Sequence, residues 1–434
     1  MNSERKSGYE ETAIGGIPPD WTATTLGEEV ASIIGGGTPS KDVADYWGGN
    51  IPWASVKDFT GSRLSKTQDS ITPEAIKGSA TNLIPAGTVI TPTRMALGRV
   101  AVFDCDVAIN QDLKAIFPKT SLLKDFLFYW FQDNAGRIEA AGTGSTVKGI
   151  RLETLRELGL ALPPVPEQKK IAAILASVDD KLDIIARQIE ATLTLKRGLI
   201  QTLFSRGVGT QDATGRWMPH SEFKDSVLGE IPTGWEIVEV QAIADVIRGA
   251  SPRPQGDPRY YGGDVPRLMG ADVTRDGKWV TPKIDFLTPE GAKRSRPCSK
   301  GTLTIICSGD VGIPSFLAID ACIHDGFLAL VNIDELRASK NYLYHVIYSL
   351  KQRFDASATH GGVFTNLTTG ILKEFQLPLP SIDEQERIAS TLDTVDEKLE
   401  IATRKQANYQ TLKRGLMQKL LTGEWRVKLE AVTA

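Results

Sequence analysis

Little in this 434-residue chain invites bond-breaking chemistry. It holds four histidines, without metal-ligand spacing, and four cysteines. Cys105, Cys298, Cys307 and Cys322 show no CxxC spacing and do not pair between the halves of the chain. That pattern points away from zinc and toward buried thiols in a reduced, cytoplasmic protein. No apolar run approaches the ~20 residues of a membrane span, and the polar N-terminus lacks a signal-peptide core. A phosphate-binding G-x-x-x-x-G-K-[ST] loop is missing, as are a glycine-rich cofactor fingerprint after a strand and an Asn/Asp-Pro-Pro-aromatic tetrapeptide. Carboxylates are plentiful but form no pattern separable from surface charge. The chain reads as non-catalytic. Its net charge of −3 does not advertise a nucleic-acid binder either.

What is present is a repeat. Residues 167–203 and 384–420 match at 19 of 37 positions without a gap, at a constant offset of 217. Both read as helices, free of Pro and with one Gly each. Apolar residues fall at Ile171, Leu175, Val178, Leu182, Ile185 and Ile189, and at Ile388, Leu392, Val395, Leu399 and Ala402. Steps of four and three define a heptad seam, which predicts two long helices packed along their length. Further on the seam weakens, and Thr192, Lys196, Gln406, Tyr409 and Lys413 take inward positions. Ser381 with Glu384 predicts a capping box, and Pro166 sits where a first-turn proline is tolerated. At ~1.5 Å per residue each helix would be roughly 55 Å long. Gly198 and Gly415 lie deep in these helices, where Gly costs ~1 kcal/mol relative to Ala, so a close backbone approach by the other helix or by a docked subunit is expected. Beside them, Lys196-Arg197 and Lys413-Arg414 suit either a helix C-terminus or a partner contact.

The repeat extends upstream. Ile14-Gly-Gly-Ile-Pro-Pro-Asp-Trp21 answers Leu228-Gly-Glu-Ile-Pro-Thr-Gly-Trp235, and Tyr46-Trp-Gly-Gly-Asn-Ile-Pro52 answers Tyr260-Tyr-Gly-Gly-Asp-Val-Pro266. The expected order is an arm (1–13), a variable domain (14–160), a helix (161–206), a linker (207–227), a second variable domain (228–380), a second helix (381–423) and a tail (424–434). Each variable domain mixes short strands, bounded by Gly and Pro, with a closing helix. The Phe-Leu-Phe-Tyr-Trp-Phe run at 126–131 reads as core and not as a stacking platform. The predicted fold class is α+β: two mixed domains with small twisted sheets, joined by an antiparallel coiled coil with an internal pseudo-two-fold repeat. One frame holding two diverged surfaces implies two different ligands of one kind.

The paired W…GG.P openings, the EQ..IA..L…D.KL helices and their LKRGL.Q.L endings resemble the specificity subunit of type I restriction–modification systems, over essentially the whole chain. The resemblance implies that the variable domains are target-recognition domains, each reading half of a bipartite, asymmetric site on double-stranded DNA. It implies that the coiled coil sets the spacing and docks two methyltransferase subunits, which two motor–nuclease subunits join. S-adenosylmethionine, ATP and Mg would then bind those partners, with no cofactor, metal or catalytic residue in this chain. Antiparallel repeats would present the domains with opposite polarity, with half-site centres on the order of one DNA turn apart, ~10 bp. A coiled-coil adaptor with two protein-binding domains is the alternative.

On that reading the residues to weigh for DNA are, in the first domain, Thr38, Lys57, Arg94, Arg99, Asn110, Gln111 and Lys148. In the second they are Ser251, Arg253, Arg267, Lys293, Arg294 and Arg296. Arg bidentate to guanine and Asn or Gln to adenine are the strongest readers. The loops Gly35–Ser40 and Arg248–Arg253 fit either a phosphate cradle or an ordinary turn. The loops Gly142–Lys148 and His360–Gly362 are similarly open between backbone contact and plain turn. Leu175, Leu182, Lys196, Arg197 and Gly198, with Leu392, Leu399, Lys413, Arg414 and Gly415, are the candidates for coiled-coil or subunit contacts. The low net charge suggests that partners supply much of the phosphate binding.

Overall fold

A computed structural model describes residues 9–144, 147–357, 359–361 and 364–428, the side chains of 355–365 excepted. Of the candidate loop His360–Gly362, the backbone of His360 and Gly361 forms a short strand (Thr359–Gly361) paired with Phe364–Asn366, whereas Gly362 and the centre of the loop after Gly142 lie outside what is described. Both predicted long helices form, as α1 (Val165–Leu203) and α2 (Ile382–Leu420), each of 39 residues. The chain divides into two compact units, Met1–Arg187 with Arg404–Ala434, and Gln188–Thr403. Each unit thus combines one variable domain, one end of α1 and one end of α2.

Within each unit the two helix segments run antiparallel. In the first, Ile171 and Leu175 share a core with Met417 and Leu420, and in the second Leu203 shares one with Ile388 and Leu392. Of the polar residues that interrupt the seam, the two lysines are ion-paired: Lys413 Nζ lies 2.7 Å from Asp179, and Lys196 Nζ lies 2.5 Å from Asp396. These are the same two seam positions in the two repeats. Each ammonium also lies over a tyrosine ring of its own unit, Tyr129 at 5.5 Å and Tyr348 at 5.3 Å. Lys196 and Lys413 are therefore held by their own chain, by contacts that a helix-end preference alone does not supply.

Each domain is built on the same four-stranded sheet. In unit 1, β1 (Val30–Gly35), β2 (Trp47–Ala54), β3 (Asp69–Ile71), β4 (Asn82–Ile84), β5 (Val89–Pro92), β6 (Val107–Ile109) and β7 (Leu113–Pro118) give the orders β3-β2-β6-β4 and β1-β7-β5. In unit 2, β8 (Asp245–Arg248), β9 (Tyr261–Leu268), β10 (Trp279–Val280), β11 (Asp285–Leu287), β12 (Arg296–Cys298), β13 (Leu303–Ile306), β14 (Pro314–Leu317), β15 (Ala321–Ile323) and β16 (Phe327–Val331) give β11-β9-β15-β12 and β8-β16-β13-β14-β10. In both, the strand that carries the GG.P motif pairs in parallel with a later, wholly buried strand: β2 with β6 and β9 with β15. The aromatic run forms the helix Lys124–Asp133 with all six residues Phe126–Phe131 buried, as expected of core. Its counterpart is Lys340–Ser349.

The Glu-Gln pair repeated at the start of each long helix ties these parts together. Gln168 and Gln385 have no exposed surface. Gln168 Nε2 donates to Ser121 O and Pro163 O (2.7 and 2.8 Å), and its Oε1 accepts from Leu123 N at 2.8 Å. Gln385 repeats this on Arg337 O, Pro380 O and Ser339 N at 2.7, 2.8 and 2.9 Å. Each glutamine thus joins the start of the aromatic helix, the end of the last strand and the first turn of the long helix. Glu384 does not close the expected capping box. Its N–H points to Ser381 Oγ at 3.4 Å, but its carboxylate is taken by Trp235 Nε1 at 2.9 Å, His220 Nε2 at 3.0 Å and the amides of Val208 and Gly209. Buried donors outcompete a backbone N–H at the helix start, because a buried carboxylate left short of partners is costly. The segment read as a linker carries two of these donors and His220, and forms the short ladders Thr210–Gln211 with Trp217–Met218 and Phe223–Lys224 with Ile231–Pro232.

Replacing Gln385 by Ala removes three hydrogen bonds at a fully buried position and leaves backbone groups unpaired, so unfolding free energy should fall by about 2–4 kcal/mol. Thermal or denaturant unfolding of the chain checks this. A change within a few tenths of a kcal/mol would show the clamp to be dispensable.

Candidate nucleic-acid interface

The loops after β1 and β8 occupy equivalent places, and the structure resolves their nature. Gly37 N donates to Ile109 O, while Gly249 N and Ala250 N donate to Phe327 O and Ile323 O. A Cβ on Gly36 would meet Ile109 O at 1.8 Å, and one on Gly249 would meet His324 O at 2.0 Å. The glycines are there for close packing against the neighbouring strand, and those amides are not free to cradle a phosphate. The loops are close-packed connections on the neighbouring strands.

What the loops position is a hydroxyl. Thr38 Oγ1 donates to Gln111 Oε1 at 2.6 Å, and Ser251 Oγ donates to Asp325 Oδ1 at 2.7 Å. Gln111 and Asp325 stand at the same place, one just after β6 and the other just after β15. Trp53 of β2 is replaced by Arg267 of β9, and Trp47 by Tyr261. In unit 1 the two indoles meet edge to face at 5.2 Å and donate to the loop carbonyls of Ser40 and Gly37. In unit 2 the Arg267 guanidinium lies over the Tyr261 ring at 5.0 Å, bonds Asp285 at 2.5 Å, and approaches Ser251 Oγ at 3.3 Å. Tyr261 in turn donates to Pro252 O at 2.8 Å. One frame thus carries two chemistries.

Unit 1 presents a cavity of about 600 Å³ lined by Thr38, Trp47, Trp53, Val56, Met95 and Asn110, with Lys41, Lys57, Ser55 and Asp69 around it. Asn110 is buried and Gln111 exposed. Asp112, also buried, accepts weakly from both amides at 3.5 and 3.4 Å and has Arg94 3.7 Å away. Lys114 reaches Gln111 O at 2.6 Å, and burial pushes its ammonium below the usual lysine range. The Lys148 carbonyl accepts from Met95 N, which brings Arg94, Met95 and Lys148 together. Arg99 stands apart, with Nη1 on Phe59 O at 2.7 Å.

Unit 2 presents charge at the matching place. Arg253 lies 3.4 Å from Asp325, Arg248 Nε donates to Asp325 O, and Arg296 Nε donates to Arg248 O. Arg248, Arg253 and Arg296 are exposed. Asp325 is held below the ordinary carboxylate range: burial pushes it up, but bonds from Ser251 and His324 outweigh that. Burial and the neighbouring Arg267 lower His324. Arg267, read as a DNA contact, is instead buried and engaged with Asp285. Lys293 and Arg294 lie on or just after the short helix Pro289–Lys293, each 3.6 Å from Glu290, outside this cluster.

On the long helices, Leu175 and Leu392 are fully buried and Leu182 and Leu399 half-buried in the seam, while Arg197 and Arg414 are exposed. A Cβ at Gly198 or Gly415 would meet nothing within 4 Å. The expected close approach by the other helix is therefore not made at either glycine. Sequence reasoning missed Trp47, Trp53, Met95, Tyr261, Asp285 and Asp325. Aligning the repeats at offset 214 through β2 and β6 would have found most of them.

The duplicated frame thus carries a chemically distinct set of side chains at the equivalent place in each copy. The family model described as the type I restriction modification DNA specificity domain matches twice, at residues 18–195 and 232–409, and the chain belongs to that family. It is 30% identical over 281 residues to a Methanocaldococcus jannaschii protein assigned as the type I restriction enzyme MjaX specificity subunit, covering 64% of this chain and 62% of that relative. It is 25% identical to the MjaVIII specificity subunit of the same organism, over 74% of this chain and 75% of the relative. The fold is similar to the solved S subunit of a type I restriction-modification system from M. genitalium, with TM-score 0.59, 18% identity, and 94% and 97% of the two chains covered.

Gly198→Ala and Gly415→Ala should raise stability, by up to ~1 kcal/mol each, since alanine is the better helix former and has room. Unfolding experiments check this. A loss of stability would mean that the glycines answer a constraint inside the chain.

Proposed function

We propose that this chain is the DNA-reading subunit of a type I restriction–modification complex. Each variable domain reads one half of a bipartite, asymmetric site, and the long helices fix the gap between halves. The observation that carries this is the pair of equivalent sites, aromatic and amide-lined in one unit and arginine–carboxylate-lined in the other, on one repeated frame. Two unlike surfaces held by the same hydrogen-bonded skeleton suit two unlike half-sites. Bases are read by groups of just these kinds, amides for adenine and guanidinium for guanine.

The chain itself carries out no reaction on this reading. Methyltransferase subunits dock on the helices, where Gly198, Arg197, Gly415 and Arg414 leave an open or charged surface. Motor–nuclease subunits join them, and S-adenosylmethionine, ATP and Mg bind those partners. With a net charge of −3, this chain contributes discrimination while partners supply much of the phosphate contact. Among the described residues no helix is long and apolar enough to cross a membrane; a place beside the chromosome in the cytoplasm rests on the proposed function alone.

Genome-wide adenine methylation in cells given this chain with its cognate methyltransferase, against the methyltransferase alone, tests the proposal. A bipartite motif should appear only with this chain, and exchanging residues 20–160 for those of a relative should change one half-site and leave the other. A soluble complex that yields no new motif would favour a protein-binding adaptor.

A further inference from the structure

Met95 is one of two non-glycine residues with positive φ among those described, at φ 68, and it is 58% exposed at the mouth of the unit 1 cavity. The left-handed conformation is costly for a long side chain, on the scale at which strained residues cluster at ligand sites. Unit 2 shows what the backbone alone asks for. Arg94 bridges to Gly149 and Ser308 bridges to Asn366, so the residues that follow, Met95 and Gly309, occupy the same turn. Gly309 has φ 85. Unit 1 thus keeps an exposed, apolar, strained methionine where its own repeat uses glycine. Neither core packing nor chain geometry accounts for it.

Beside it, Gln111 is tethered but not used up. A glutamine amide offers two donors and two lone pairs. Thr38 Oγ1 occupies one lone pair of Oε1 at 2.6 Å, and Asp112 Oδ2 takes one Nε2 hydrogen at 3.4 Å. One acceptor and one donor remain on an exposed amide whose orientation Thr38 fixes. That pair is the complement of adenine N6–H and N7 in the major groove, and an apolar contact is the complement of the thymine methyl.

Resting on the DNA-reading function above, we propose that the cavity beside Thr38 is a base-reading site for an A·T pair, with the Gln111 amide on adenine and Met95 against the thymine methyl. Thr38 acts as a positioning residue. Unit 2, with glycine at the mouth and Arg253 and Asp325 in place of the amide, does not share this preference.

The test uses the complex of this chain with its cognate methyltransferase. In Gln111→Ala and in Met95→Gly, methylation sequencing should show one A·T position of one half-site relaxed roughly tenfold or more, with the other half-site unchanged. Met95→Gly should leave the thermal midpoint close to that of the parent, because relief of strain offsets the freedom glycine adds to the unfolded chain. On a duplex carrying uracil for that thymine, the parent complex should bind about fourfold more weakly, as for one lost methyl contact. The Met95→Gly complex should bind both duplexes alike. Retention of the parental motif in both variants, or relaxation at a G·C position, would overturn the site. Failure of the parent complex to give any bipartite motif would overturn the DNA-reading function and the site with it.

Discussion

The structure depends on a buried carboxylate in the first turn of each long helix. Glu167 and Glu384 are each 1% exposed. A bare charge at such depth would be strongly destabilising, so the site exists only because donors converge on it. Trp21 Nε1 reaches Glu167 at 3.0 Å and Trp235 Nε1 reaches Glu384 at 2.9 Å, which explains why each domain begins with tryptophan. The remaining donors come from the segment that follows a long helix. Arg426, after α2, binds Glu167 through Nε and Nη2 at 2.8 and 2.9 Å and also grips Asp20. After α1, His220 and two backbone amides bind Glu384. Segments remote in sequence are thereby required at one point, and each unit closes on itself.

That closure explains how far the sequence could be read. The seam was legible because burial along a helix is periodic, and its polar interruptions marked true inward positions, each lysine meeting an aspartate of the same unit. The core character of Phe126–Phe131 was legible because six consecutive large apolar residues leave no face for water. Conserved identity between repeats was a sound guide to structure. Identity carried less information about purpose, as Glu384 shows: spacing suggested a local cap with Ser381, and the carboxylate's partners, Trp235, His220 and the amides of Val208 and Gly209, lie 149 to 176 residues away.

The candidate site was legible only in part, for a related reason. Asn110 and Gln111 were singled out because amides suit base edges, Thr38 and Ser251 because a glycine loop with a hydroxyl could hold a phosphate, and Arg253 as a basic side chain. Arg267 was found on the same ground, yet the fold spends its charge on Asp285 and Tyr261. The glycine loops looked like anion cradles, since glycine signals close approach without saying to what. Here the approaching group is a neighbouring strand. Met95 carried no sequence signal at all until its backbone angle could be set beside that of Gly309.

The division between what is buried and what is exposed also bears on how the two sites could diverge. The loop hydroxyl, the parallel pairing of β2 with β6 and of β9 with β15, and the glycine contacts against the next strand are shared, and they are fixed by groups that lose hydrogen bonds if changed. The side chains that differ most, Gln111 against Asp325 and Met95 against Gly309, lie at the surface, where exchange perturbs stability little. Trp53 and Arg267 are the exception, being buried: Trp47 becomes Tyr261 along with that exchange, while the carboxylate opposite is kept, Asp69 facing Trp53 and Asp285 facing Arg267. A buried guanidinium without Asp285 would be untenable, and an indole needs only the carbonyl of Gly37. Exchange at the rim therefore costs little stability one residue at a time, while a buried guanidinium in the floor is possible because the carboxylate opposite it is already part of the frame.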